Sequence, residues 1–444
     1  RPAISWYDGA HDINMVYENT IPQMFVPNVF SFASEGKELY IGGVRTPIEY
    51  WSPWRLEEET DELSRFLGLQ DVGKQISHLL KPSVLLDILR FYTVYATNNK
   101  KKKIKVVCRY QQYEGVNAIV QRVIDGKIKK GLLWHFQGSG KSLLMLFAAQ
   151  KLRKQVLLNN PTVMIVVDRV DLDTQISATF STAEIPNMVT TDSIKELHNL
   201  LEHDSRKIII TMIHKFKDAY ADMNKRDNII VMVDEAHRTQ EGDLGRKMRS
   251  ALPNAFLFGL TGTPINRSDK NTFWAFGAEE DDGGYMSRYT FQESIRDNAT
   301  LPLHFEPRLP NYHIDKENLD IAFKEMANDL SEVDRNKLSQ KAANMAVFLK
   351  SPERVKTIVA DIVEHFKTHV EPEGLKAMIV TPDRFACIQY KEELDNLLDP
   401  ETSTVVISTS ANDSFEFKQK WGVDKDIQEK TTDSFNDPDS PLKI

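Results

Sequence analysis

The sequence predicts an α/β protein whose sheets are parallel and covered on both faces. Short, nearly continuous runs of Val, Ile and Leu recur through the middle of the chain, as in "TVMIVVD", "KIIITM" and "IIVMVDE". Runs of that length and branching suit strands buried on both sides. Between them lie amphipathic stretches, "SLLMLFAAQKLRKQ", "SIKELHNLLEH" and "DLGRKMRSAL", and strands that alternate with helices build parallel crossover units. Such sheets bind ligands beyond the carboxyl ends of their strands, so the residues that follow each run are the candidates for a site.

Length and composition set the outer bounds. A chain of 444 residues exceeds one ordinary core, so two or three domains are expected. Hydrophobic residues make up 41% and charged residues 27%, which is a globular balance. The longest apolar runs have strand length, short of the ~18 to 20 residues that cross a bilayer, so no membrane partner is expected. The opening "RPAISWYDGAHD" lacks the basic start and apolar centre of a secretory leader. Cys108 and Cys387 lie far apart, which argues against a disulfide framework and for a reducing cytoplasm. The net charge of −8 means that a nucleic-acid contact needs a local basic groove, because phosphates are held by clustered Lys and Arg.

In chain order, residues 1–100 end in a helical pattern, "PSVLLDILRFYTVYA". The run Lys100 to Lys103 in "ATNNKKKKIKVV" reads as a solvated linker and marks a boundary. Residues 101–305 carry the strand-like runs "GLLWHF", "TVMIVVD", "KIIITM", "IIVMVDE" and "AFLFGLT". Residues 306–340 form a connector within a charged, helical region from about Lys316 to Val370. Residues 341–444 hold "LKAMIVTPDRFACIQYKEEL", a strand followed by a helix, and "STVVISTS", a further strand. The final "PLKI" reads like the opening of another strand, so this last domain reads as incomplete.

The chemistry concentrates after the strands. "GLLWHFQGSGKSLLM" supplies a strand, a turn at Gly138-Ser139-Gly140, a charge at Lys141, a hydroxyl at Ser142 and a helix. A turn whose N–H groups converge at a helix N-terminus, with Lys beside it and Ser or Thr for magnesium, is what a triphosphate requires. The usual loop begins with glycine where this chain has His135. The alternative is a plain glycine-rich turn before a helix.

"IIVMVDEAHRTQ" ends an apolar run in Asp234 and Glu235, followed by Ala236 and His237. Asp can hold magnesium through water while Glu polarises the attacking water, the division of labour that phosphoryl transfer needs. "FGLTGTPINR" gives another strand a hydroxyl-lined exit at Thr261, Gly262 and Thr263, suited to sensing a γ-phosphate. Arg109 and Gln112 precede a helix, and a Gln amide can both donate to and accept from an adenine edge. His237 reads as coupling this site to its surroundings. Two other features read as structural: the aromatic cluster "EYWSPWR" as packing and the acidic "GAEEDDGG" as a mobile loop without calcium-loop spacing.

Taken in order, Gln112, Lys141, Asp234-Glu235-Ala236-His237 and Thr261-Gly262-Thr263 resemble the motifs of superfamily 2 helicases and translocases. "DEAH" and "LTGTP" point to DNA translocases and restriction motors. The resemblance makes Asp168 and Arg169 in "VVDRVDLDTQ" motif Ia, and Thr211, Lys215 and Phe216 in "IITMIHKF" the next DNA-side motif. It makes "KAMIVTPDRFA" motif IV, the start of a second lobe. "IPQMFVPNVFSFASEGKELYIGG", "EYWSPW" and "YMSRYTFQESIRDNATLPLHFEPR" resemble segments of one family, the motor subunit of type I restriction enzymes, over nearly the whole chain.

The resemblance implies RecA-like parallel lobes of a superfamily 2 motor, the second incomplete, preceded by the C-terminal part of a restriction-endonuclease-like α/β domain. It implies ATP and Mg2+ as cofactors, double-stranded DNA as partner, and separate modification and specificity subunits in a bacterial or archaeal cytoplasm. It places the nuclease's acidic set before Arg1, and motifs V and VI, with their arginine, beyond Ile444. Feeble ATPase activity and no DNA cleavage are therefore expected of these 444 residues. A type III restriction or Swi2/Snf2-like remodelling motor shares the core motifs, and a nucleotide-gated binding scaffold that hydrolyses little is a further alternative.

Overall fold

The computed structural model describes residues 5–56, 72–97, 103–167, 187–236, 243–264, 272–308, 352–409, 413–422 and 425–444. The chain divides into two compact units, Arg1–Leu303 and His304–Ile444. Asp168, Arg169, His237 and most of the expected connector lie outside the described residues.

The first unit opens with a short helix, α1 (Trp6–His11), and an antiparallel sheet of β1 (Phe30–Ser34), β2 (Leu39–Gly43) and β3 (Ser52–Pro53). Helices α2 (Val72–Leu79) and α3 (Pro82–Phe91) follow, then the antiparallel pair β4 (Thr93–Thr97) and β5 (Lys103–Val107). The helical pattern expected to run through Ala96 stops at Phe91. Thr-Val-Tyr-Ala-Thr is rich in β-branched and aromatic residues, and it pairs with Lys103–Val107 instead of continuing the helix. The lysine run thus opens a strand at Lys103. Sheet and hairpin meet closely: Lys105 N donates to Val44 O at 3.1 Å, and a Cβ on Gly43 would fall 1.7 Å from Lys105 O. Only glycine fits there.

The main sheet has seven strands in the order β12-β6-β11-β10-β7-β9-β8, and each of its pairings is parallel. They are β6 (Lys130–His135), β7 (Thr162–Val167), β8 (Met188–Thr190), β9 (Ile208–Met212), β10 (Ile229–Val233), β11 (Phe256–Thr261) and β12 (Ser287–Tyr289). The helices are α4 (Tyr110–Asp125) before β6, α5 (Lys141–Arg153), α6 (Ile194–Glu202), α7 (Asp243–Ala251), α8 (Thr272–Phe276) and α9 (Phe291–Arg296). A parallel sheet flanked by helices in this order is a RecA-like lobe, as expected. From β6 the chain crosses to β7, three positions away, and β10 and β11 later fill the gap. The strand ends of β6, β11 and β10 are thereby brought side by side.

Helix α5 is the centre of packing. Six consecutive residues, Leu144 to Ala149, are fully buried, and a helix apolar all round belongs in an interior. Its core is continuous with Leu39, Ile41 and Trp54 of the N-terminal sheet and with Ile88 and Phe91 of α3. The aromatic cluster is packing: Trp51 and Trp54 are buried, and the Trp54 ring lies 5.7 Å from that of Tyr113 on α4. The acidic loop is ion-paired, Asp281 with Arg122 at 2.5 Å and Asp282 with Arg288 at 2.8 Å.

The second unit contains α10 (Pro352–His365) and α11 (Arg384–Leu397), packed through Val355, Val359, Val363 and Leu394. Asp383 caps α11 by accepting from Ala386 N at 2.9 Å. The strands expected at "KAMIVT" and "STVVISTS" do not form a ladder. Ala377 N donates to Lys443 O at 2.9 Å and Thr404 N to Ile444 O at 3.1 Å. Among the described residues pairing goes little further, and Met378 and Val380 remain 78% and 87% exposed.

Candidate nucleotide site

The loop after β6 takes its shape from two glycines. Gly138 and Gly140 both have φ +83°, the left-handed region that a side chain disfavours. A Cβ would lie 2.7 Å from Ala299 O at Gly138 and 2.3 Å from Gln112 Nε2 at Gly140. His135 needs no such freedom, since it is the last residue of β6 and pairs in register with Tyr289. Its ring is buried, its Nε2 lies 2.9 Å from Ser287 Oγ, and burial, then Lys141, pushes its pKa down to about 3. This neutral strand residue is compatible with a phosphate loop.

Lys141 and Ser142 begin α5, with Gly140 as the N-cap. The Lys141 amine donates to His135 O at 3.3 Å, across the mouth of the loop. Ser139 is buried and its hydroxyl has no hydrogen-bond partner among the described residues. A turn with left-handed glycines, helix N–H groups and an idle hydroxyl is an anion cradle.

Asp234 follows β10 and is 4% exposed. Burial raises its pKa to about 6, opposed by the positive charge of Lys141 and assisted by Glu235. Both residues follow the carboxyl ends of parallel strands, Lys141 after β6 and Asp234 after β10, with β11 between them. Glu235 has φ +46°, uncommon for a residue with a side chain and worth of order 1 to 3 kcal/mol of strain. At β11, Thr261 is fully buried and its hydroxyl accepts from Thr263 N at 3.1 Å. A Cβ on Gly262 would lie 3.2 Å from Gln137 N, so this turn rests against the phosphate loop.

Gln112 is turned to a different task from the adenine contact expected of it. Its Oε1 accepts from Arg109 N at 2.8 Å and its Nε2 donates to Gly140 O at 2.9 Å. Arg109 Nη1 donates to Gly138 O at 3.0 Å. Both residues brace the loop from behind, and Gln111, which the sequence did not single out, joins them on Ser139 O at 3.4 Å. Thr211 and Lys215, expected on the DNA side, are also turned inward. Thr211 is fully buried and accepts from the Thr191 hydroxyl at 2.9 Å; Lys215 is 3% exposed and donates to the Thr191 carbonyl. Neither offers a group to a DNA phosphate in this arrangement.

Magnesium suits what the site offers. Among the described residues no cluster of three or more His, Cys, Asp or Glu could hold a metal, and magnesium is commonly held by one or two protein oxygens together with substrate phosphates. Ser142, in the first turn of α5, and the buried Asp234 after β10 carry oxygen donors of that kind.

Residues 111–336 match the SWI2/SNF2 ATPase family, half of the chain. The chain is 32% identical to the type I restriction enzyme HindI endonuclease subunit of Haemophilus influenzae, over 96% of this chain and 43% of that subunit. It is 30% identical to the type I restriction enzyme SsaAORF53P endonuclease subunit of Staphylococcus saprophyticus, over 48% of this chain and 23% of that one. It spans less than half the length of these relatives. Among solved structures, the UvsW helicase from bacteriophage T4 is similar at 17% identity and a TM-score of 0.32, covering 52% of this chain and 75% of that one. With half its length matching and its curated homologues type I restriction endonuclease subunits, the chain belongs to the SWI2/SNF2 ATPase family and is related to those subunits.

Proposed function

We propose that this chain is the ATP-hydrolysing motor part of a type I restriction enzyme endonuclease subunit, driven along double-stranded DNA by hydrolysis. The observation that carries the reading is that Lys141, at the left-handed glycine turn after β6, and the buried Asp234 after β10 lie at the carboxyl ends of two parallel strands separated only by β11. The N–H groups at the start of α5 and the Lys141 ammonium bind and orient the phosphates. Ser142 and Asp234 would hold a magnesium ion, which when bound neutralises charge developing on the transferred phosphoryl group. Glu235 accepts a hydrogen bond from the attacking water and polarises it. Thr261, Gly262 and Thr263, a turn whose Gly262 lies against Gln137, sense the γ-phosphate. His237, Asp168 and Arg169 carry that state toward DNA, while a separate specificity subunit chooses the site and a modification subunit methylates it.

Hydrolysis of Mg-ATP by the full-length subunit that contains this chain, with and without linear duplex, tests this. Duplex DNA should raise the rate, and Glu235→Gln should lower kcat by ~100-fold or more while ATP still binds. A rate indifferent to both DNA and Glu235 would refute the motor reading.

A further inference from the structure

The turn after α9 holds two distant parts of the first unit at once. The Asp297 carboxylate accepts from Arg55 Nε at 2.7 Å, the Tyr110 hydroxyl at 3.0 Å, the Tyr289 hydroxyl at 3.2 Å and Arg296 Nε at 3.1 Å. Its side chain is 2% exposed and that of Arg55 is 5% exposed. The other arm of Arg55 donates to Glu38 Oε1 at 2.7 Å, beside β2. Three residues on, the Thr300 hydroxyl donates to Gln137 O in the phosphate loop at 2.8 Å and lies 2.6 Å from Ser294 Oγ. Ala299 and Thr300 both donate their N–H to Ser294 O, and Asn298 takes φ +54° to close the turn.

A buried ion pair is stable only in the geometry that satisfies every member. Arg55 and Asp297 therefore fix the N-terminal sheet to this turn in a single arrangement. The same turn fixes Gln137, and its Ala299 carbonyl sits where a side chain on Gly138 would have to go. Tyr110, also on Asp297, adjoins Arg109, which holds the Gly138 carbonyl. Both branches of the network end on the phosphate loop.

We propose that residues 290–300 are a brace through which the N-terminal sheet sets the shape of the phosphate loop, with Asp297 and Thr300 as positioning residues for nucleotide binding. The proposal rests on the nucleotide reading of that loop. Coupling of this kind is reciprocal: whatever shifts the N-terminal sheet alters nucleotide affinity, and nucleotide in turn stiffens the contact at Arg55.

Two readouts on the full chain test the brace: affinity for a fluorescent ATP analogue with Mg2+, and amide hydrogen exchange. Thr300→Ser keeps the hydroxyl and should bind within about twofold of the parent, whereas Thr300→Val should bind about fivefold to tenfold more weakly, as expected for one lost hydrogen bond. Thr300→Val should also speed exchange at residues 136–141 without nucleotide. In the parent, nucleotide should slow exchange at residues 52–55, and Thr300→Val should blunt that slowing. Asp297→Asn should act in the same direction, and if it fails to fold the Thr300 pair still decides. Equal affinity and equal loop exchange in Thr300→Val and the parent would overturn the brace while leaving the nucleotide site standing. A parent chain that binds no nucleotide would overturn both.

Discussion

Two lysines stand at the carboxyl edge of the same parallel sheet, and their surroundings differ in every respect that decides function. Lys141 follows β6, is half-buried, lies across the glycine turn and feels the Asp234 carboxyl. Lys215 follows β9, is 3% exposed, and gives its ammonium to the Thr191 carbonyl and, at 3.4 Å, to the Thr191 hydroxyl. One amine is available to a ligand and the other is used up by the fold. A basic residue after a strand therefore says little until its hydrogen bonds have been followed.

The largest expected effect separates the two directly. Lys141→Ala should weaken Mg-ATP binding by ~100-fold, since a charged donor to phosphate is lost, while thermal unfolding barely moves. Lys215→Met should do the reverse: it leaves the Thr191 carbonyl unpaired, lowering stability by about 2 kcal/mol, with nucleotide affinity within about twofold. Calorimetric melting and titration of both variants check the pair. Reversal of the two outcomes would break the distinction.

What made Lys141 legible in the sequence was its company. Gly138 and Gly140 mark a turn that only left-handed residues can form, and the run before them is a strand buried on both faces. The same logic exposed β7, β9, β10 and β11, whose burial is nearly continuous. Strands β8 and β12 escaped because each has three residues and is only partly buried. β4 read as helix because its partner β5 lies across the lysine run, and pairing is not written in either segment alone. Lys215 looked outward because its motif names residue types, whereas its direction is set by Thr191, 24 positions away. The Arg55–Asp297 contact spans 242 positions and left no local signal.

The acid beside Lys141 sharpens the comparison through pH. Asp234 has its pKa raised to about 6 by burial, so below that value it carries a proton that a magnesium ion must displace. Magnesium-dependent nucleotide binding should weaken as pH falls through about 6, and Asp234→Asn should bind more weakly and lose that pH dependence. Stability moves the opposite way. The folded pKa lies above the unfolded value of ~3.9, so the native state holds the extra proton between those limits, and the group's contribution is lost as pH rises through about 6. Asp234→Asn should therefore melt higher than the parent at pH 7.5 and no higher at pH 4. Binding unchanged from pH 7.5 to 5 would show that Asp234 does not face the nucleotide.

The smallest effect belongs to the sheet's other edge. Thr211 accepts from the Thr191 hydroxyl at 2.9 Å inside the core, and Thr211→Val removes that acceptor at nearly constant volume. A loss of about 1 kcal/mol is expected, read as a small drop in melting temperature with nucleotide binding untouched. Because Lys215 and Thr211 both lean on Thr191, the double variant Lys215→Met with Thr211→Val should deviate from the sum of the singles by ~0.5 kcal/mol or more. Strict additivity would mean that Thr191 does not join the two, and a fall in duplex affinity without a fall in stability would return Lys215 to the DNA side.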